Sequence, residues 1–93
     1  MSDLSHRIAT RYLEAASEIE FEELPEAHQA FIKKIGYKIA QVWDGIHGVV
    51  VEFDIPDHKA RLTKEFLHNL VTSSLFRWIS TEDGRMSIGL THS

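Results

Sequence analysis

The chain has 93 residues, 43% of them apolar and 26% charged, with a formal net charge of −4 and no cysteine. That length supports one domain around one modest core, 1–93, and the composition is that of a folded chain rather than a disordered one. The lack of cysteine excludes disulfides, thiolate metal sites and thiol catalysis in this chain, and it fits a reducing cytoplasm.

No run approaches the roughly 18–20 apolar residues of a membrane span. The amino-terminal stretch MSDLSHRIATRYLEAAS lacks the apolar centre of an export signal. Charge is unevenly placed. Residues 1–56 carry 5 Lys/Arg against 10 Asp/Glu, a net of −5, whereas residues 57–93 carry 5 against 4, a net of +1. No Lys or Arg occurs between Arg11 and Lys33, a gap that holds Glu14, Glu18, Glu20, Glu22, Glu23 and Glu26. Nucleic-acid binders concentrate positive charge on one face, and no such concentration is visible.

Ser2 to about Glu20 reads as a first helix, with Leu4, Ile8, Tyr12, Ala15 and Ile19 in one stripe and Ser2, Asp3 or Ser5 as its cap. Its late glutamates oppose the helix dipole, so it should stop near Phe21. Leu24-Pro25 is a break, since proline disfavours helix before it and suits the first turn after it. A second helix is expected from about Pro25 to Trp43, with Ala27, Phe31, Ile35, Ile39 and Val42 as its stripe. Gly36 weakens that helix by about 1 kcal/mol relative to alanine, and Gly45 suits its left-handed stop.

Ile46 to Ile55 is the longest β-favouring run, fenced by Asp44-Gly45 and Pro56-Asp57. His47, Val49, Val51, Phe53 and Ile55 share one face, which should lie on the helices. Gly48, Val50, Glu52 and Asp54 share the other, which should be partly wet. The strand needs partners for its backbone groups, and the expected ones lie near the carboxyl terminus. A third helix follows, beginning near Asp57 or Thr63; Thr63 has the better local grammar, since as N-cap it puts Leu62 and Leu67 at the ends of a hydrophobic staple. Two adjoining stripes, Leu62/Phe66/Leu70 and Leu67/Val71/Leu75, suggest that it is largely buried; Thr72-Ser73-Ser74 should end it.

Leu75 to Leu90 reads as a hairpin about Asp83-Gly84, a pair suited to the positive φ of a tight turn. The turn sets Glu82 opposite Arg85, Thr81 opposite Met86, Ser80 opposite Ser87, Ile79 opposite Ile88 and Trp78 opposite Gly89. Phe76 and Trp78 then fall on the face away from Ile79 and Ile88. The expected fold is α+β: two amino-terminal helices, a strand, a third helix and a carboxyl-terminal hairpin, in a small three-stranded, mainly antiparallel sheet.

Candidate chemistry is sparse. Asp54, Asp57 and His58, with His47 nearby, are metal-ligand types, but the spacing matches no strong motif and His47 points away from Asp54. The six histidines are scattered. No nucleophile elbow, HExxH or Gly-rich phosphate loop occurs, so no catalytic residue, cofactor or metal site is expected. A helix followed by a hairpin is the arrangement of the recognition helix and wing in a winged-helix domain, with Lys59, Arg61, Lys64, Arg77 and Arg85 available for phosphates. The acidic hairpin tip Glu82-Asp83 opposes that alternative.

The favoured expectation is a small non-enzymatic protein-binding or regulatory module, of adaptor or inhibitor type, acting in the cytoplasm. Its anchors would be Phe76 and Trp78, with Arg77 and Arg85 beside them, if that hairpin face is exposed. Glu20, Glu22, Glu23 and Glu26 would form a second, electrostatic contact surface. The partner would be another protein, or a second copy of the chain joined as a homodimer through an edge strand or the exposed hairpin face.

Overall fold

A computed structural model of the chain describes residues 13, 15–55, 63–82 and 84–92. Five strands, β1 (Ser17–Ile19), β2 (Lys38–Gly45), β3 (Gly48–Asp54), β4 (Phe76–Glu82) and β5 (Arg85–Leu90), form one sheet in the order β1-β2-β3-β5-β4. Every neighbouring pair is antiparallel. Among the described residues, two α-helices, α1 (Glu26–Ile35) and α2 (Lys64–Val71), interrupt the strands, and a short 3-10 segment covers Phe21–Glu23. This overturns the expected two-helix amino-terminal half and three-stranded sheet.

The first correction concerns the chain before β2. The expected helix to Glu20 ends early: Ala15 takes a left-handed φ of 57° and Ser17–Ile19 pairs with β2. The signal was present, because Glu18, Ile19, Glu20, Phe21 and Glu22 alternate polar and apolar with the period of a strand. The stripe and caps expected within residues 2–12 lie outside the described residues.

The second helix stops at Ile35, not Trp43. Gly36 adopts φ +83° as a left-handed C-cap, where alanine would be strained. The chain then runs through Tyr37 into β2, whose Ile39, Val42 and Trp43 are β-favouring. A register shift between Ile39 and Gln41 marks a bulge in β2. Ile39 pairs with Phe53 and Val42 with Val51, so two core residues stand three apart rather than two. That spacing continues the helical stripe from Ile35 and disguises the strand. Gly45 is no helix stop: it faces Gly48 across the β2–β3 hairpin, whose turn holds Ile46 and His47.

β3 is therefore paired on both sides, with β2 as well as with the carboxyl-terminal β5. Val49, Val51 and Phe53 join Val42, Met86, Ile88 and Leu90 on the helix-covered face, where Ile32 of α1 and Leu70 of α2 close the core. The core side of α1 is His28, Ile32 and half-buried Ile35, while the expected stripe residue Ala27 is exposed. Thr63 caps α2 as expected, its Oγ1 accepting the Phe66 N–H at 3.0 Å. Thr72 ends that helix, but α2 is less buried than expected, with Val71 59% exposed.

The hairpin register from Trp78–Gly89 to Glu82–Arg85 is the expected one. Below Trp78 it shifts, so that Phe76 pairs with Leu90 and Arg77 is the extra residue of a second bulge. Phe76 is thereby turned to the helix side, where it packs against the core. Trp78 stays on the other side, in a cross-strand row with Gly89, Val50 and Trp43. Val50 is 1% exposed there, while Glu52 and Asp54 on the same face are part-exposed, so the face is partly wet as expected, with its dry part at Val50.

A Cβ added at Gly89 would fall within the Trp78 indole, at Nε1 and Cε2. Gly89→Ala should therefore cost at least about 2 kcal/mol, as overpacking does. Gly36→Ala, which meets nothing within 4 Å, should cost only about 1 kcal/mol from its positive φ. Urea unfolding of the two variants checks this; equal penalties would mean that the indole is not seated on Gly89.

Candidate functional site

The residues expected to bind a partner fall in two places. On the hairpin, the bulge separates Phe76 from Trp78, so the two aromatics do not share a face. Trp78 is 9% exposed, its ring covering Gly89. Arg77 is exposed, but its guanidinium folds back and donates from Nη1 to the carbonyls of Ser74 (3.1 Å) and Phe76 (3.0 Å). It closes the α2–β4 turn.

Arg85 faces Glu82 in register, yet its ion pairs run to β3: Nη1 lies 3.5 Å from Glu52 and Nε 3.5 Å from Asp54. Both pairs are partly solvated, so each contributes at most about 1 kcal/mol. Arg77 and Arg85 sit at opposite ends of the hairpin, and Lys64 opens α2; Lys59 and Arg61 lie outside the described residues. The described cations of the winged-helix alternative are thus not gathered on one surface.

The acidic segment is differently placed from a helical surface. It follows β1, the 3-10 segment and the start of α1, and Glu18, Glu20, Glu22, Glu23 and Glu26 are all exposed. The Glu20 N–H donates to Glu23 Oε2 at 2.6 Å, which fixes the entry to the 3-10 segment. Among the described residues none of the five carboxylates forms an ion pair. Lys33 reaches into this stretch, with Nζ 5.9 Å from the centroid of Phe21, and keeps its positive charge there. Five carboxylates against that one ammonium leave the stretch net negative.

A third feature has no counterpart in the sequence reading. Both helices lie on the same face of the sheet, and a groove of about 820 Å³ runs between them. Ala27, Ala30, Phe31 and Lys34 of α1 form one wall, and the segment from Asn69 to Leu75 forms the other. A smaller hollow of about 350 Å³ continues it over Phe66 and Leu70. The spacing of Ala27, Ala30, Phe31 and Lys34 marks one side of a helix, but reading Ala27 and Phe31 as core concealed that side.

His28 lines the groove and is 2% exposed. Its Nε2–H donates to the Thr91 carbonyl at 2.7 Å, and the Thr91 N–H donates to the Leu75 carbonyl at 2.8 Å. His92 in turn meets Asp44 Oδ1 at 2.9 Å through Nε2. The carboxyl-terminal residues are thus pinned to α1, to the α2–β4 turn and to β2, which fixes that end of the groove.

Among the described residues no group of three or more His, Asp or Glu is placed to hold an ion. Asp54 is engaged by Arg85, His47 stands in the β2–β3 turn, and Asp57 and His58 lie outside the described residues. Among the described residues no helix is long and apolar enough to cross a membrane. No family model matches the chain, and no curated protein or solved structure matches it.

Trp78→Ala should lower stability by about 3–5 kcal/mol, the range for losing a buried large aromatic. In the Trp78→Ala background, Gly89→Ala should lose most of its penalty, because the two residues share one packing site. A Trp78→Ala chain within about 1 kcal/mol of wild type in urea would return Trp78 to the surface.

Proposed function

We propose that this chain is a small non-enzymatic protein-binding or regulatory module, of adaptor or inhibitor type, working in the cytoplasm. The observation that carries the reading is the acidic ridge, with Glu18, Glu20, Glu22, Glu23 and Glu26 exposed and none in an ion pair among the described residues. Such a surface raises the local concentration of a basic partner and speeds its encounter. The ridge takes over the principal contact role from the hairpin aromatics, since Trp78 is buried and Phe76 faces the helices. β4 is the end strand of the sheet and supplies a secondary contact edge, which the bulge at Arg77 keeps from pairing indiscriminately.

The test is capture from lysate of the native host by the full chain and by Glu22→Lys/Glu26→Lys. Both positions are exposed, so the fold should tolerate the change. The wild type should retain a protein with a basic surface, released by raising salt, and the variant should lose it. Equal capture by both chains, or none above a blank resin, would overturn the reading.

A further inference from the structure

β4 is the long open edge of this sheet. Among the described residues no strand lies beyond it. The opposite end, β1, is only three residues long and is closed off by left-handed Ala15 before it and the 3-10 segment at Phe21 after it. Two hydrogen bonds fix which backbone groups β4 offers. The Ile55 N–H donates to the Gly84 carbonyl, so Gly84, Met86 and Ile88 turn their backbone groups toward β3. The Thr91 N–H donates to the Leu75 carbonyl, so Arg85, Ser87 and Gly89 turn theirs toward β4. Their partners Glu82, Ser80 and Trp78 are engaged within the hairpin, and the N–H and C=O groups of Ile79 and Thr81 point outward. Edges are commonly blunted by lysine, proline or a bulge. From Trp78 to Glu82 this one has none of these, and the bulge at Arg77 marks where its regular part ends.

We propose that a second copy of this chain adds its own β4 antiparallel to this edge, giving a two-fold symmetric dimer with one continuous sheet. Only one register pairs the outward residues of one copy wholly with those of the other. It sets Ile79 opposite Thr81 of the second copy, Thr81 opposite its Ile79, and the two Ser80 residues opposite each other on the axis. The neighbouring registers set Ile79 or Thr81 against itself and send the other to the bulge or to the turn. The side chains suit the pairing, since Ile79 and Thr81 are β-branched and share a face while Ser80 is small. The ends of the strand are complementary as well. Arg77 and Glu82 stand at opposite ends of β4, so antiparallel pairing lays the Glu82 end of each copy by the Arg77 end of the other. Glu82 is exposed and forms no ion pair among the described residues, because Arg85, its partner in register, reaches to Glu52 and Asp54. A parallel approach would bring like charges together at both ends. The acidic ridge begins on β1, at the far end of the strand order, so the dimer leaves both ridges open to partners. The inference rests on the protein-binding reading and gives its secondary contact edge an occupant.

Sedimentation equilibrium of the full chain should show a reversible monomer–dimer equilibrium, with a dissociation constant between about 10 µM and 1 mM for so short an interface. Thr81→Pro, which removes an outward N–H at an edge position that tolerates proline, should weaken it roughly tenfold or more. Ser80→Lys sets like charges opposite each other and should weaken it about threefold or more, with added salt restoring part of the loss. Cross-linking reads the register. The chain has no cysteine, so Ser80→Cys places one thiol per copy across the axis. Opposed residues have Cβ atoms roughly 4.5–5.5 Å apart, and mild oxidation should give a disulfide-linked dimer. Glu82→Cys is more exposed, but in this register it lies about 13 Å from its counterpart at about 3.3 Å per residue, and it should not cross-link. A chain monomeric to about 1 mM, a dimer untouched by both Thr81→Pro and Ser80→Lys, or faster cross-linking of Glu82→Cys than of Ser80→Cys would overturn the proposal. If Glu22→Lys/Glu26→Lys loses the host partner while the chain stays monomeric, the function stands and the dimer falls. If that variant captures as wild type does while the dimer forms as described, the dimer stands and the ridge reading falls.

Discussion

The structure depends on burying Val50. β3 is the middle strand of five, and its valines at 49, 50 and 51 are 3%, 1% and 0% exposed although they alternate between the two faces of the sheet. A strand that is apolar on both faces needs cover on both, and each such side chain is worth about 1.5–3 kcal/mol when removed from water. Among the described residues, the helices pack on one face. On the other, Trp43 and Trp78 stand in the same cross-strand row as Val50, and Gly89 between Val50 and Trp78 supplies no side chain of its own. The glycine makes room for the indole to lie flat, so one missing Cβ lets the sheet keep a second packed layer.

That arrangement explains why β4 carries a bulge. The hairpin must put Trp78 on the second face and both Phe76 and Ile79 on the helix face. Strict alternation cannot do this, because residues 76 and 78 would then point the same way. The extra residue, Arg77, resolves the conflict, and its side chain satisfies two carbonyls of the turn it disturbs. The bulge in β2 does the same for Ile39 and Val42. Each bulge buys a second core contact on a strand that would otherwise offer one.

These two bulges also set the limits of what was legible in the sequence. Where alternation was unbroken, the reading held: the faces of Val49, Val51 and Phe53, and the register of the hairpin from Trp78 to Arg85. Thr63 was legible because a cap is a local hydrogen bond that needs no knowledge of the rest of the fold. Where a bulge changed the spacing of core residues from two to three, a strand took on the period of a helix, and β2 was absorbed into α1. Gly36 was the discriminating residue, since a glycine between a helical stripe and a run of β-formers is a stop signal as much as a weak helix position. β1 was overlooked for the opposite reason: the strand is only three residues long, and the alternation from Glu18 to Glu22 was too short to compete with a longer helical pattern upstream.

The candidate site was legible only as charge. The run of glutamates is a property of the sequence, and its exposure follows from the cost of burying unpaired carboxylates. The groove between the helices is a property of packing. It exists because α1 turns His28 and Ile32 inward, and so presents Ala27, Ala30 and Lys34 across a gap to the end of α2. It persists because His28 and Thr91 tie α1 to the carboxyl-terminal segment, which the Thr91–Leu75 bond ties in turn to the other wall. The same short helix thus meets the core with one side and forms the groove with the next, while its first turn carries the last charge of the acidic ridge. A substitution on α1 can then act on stability, on the groove or on the ridge according to its position around the axis, and these three effects are separable within ten residues.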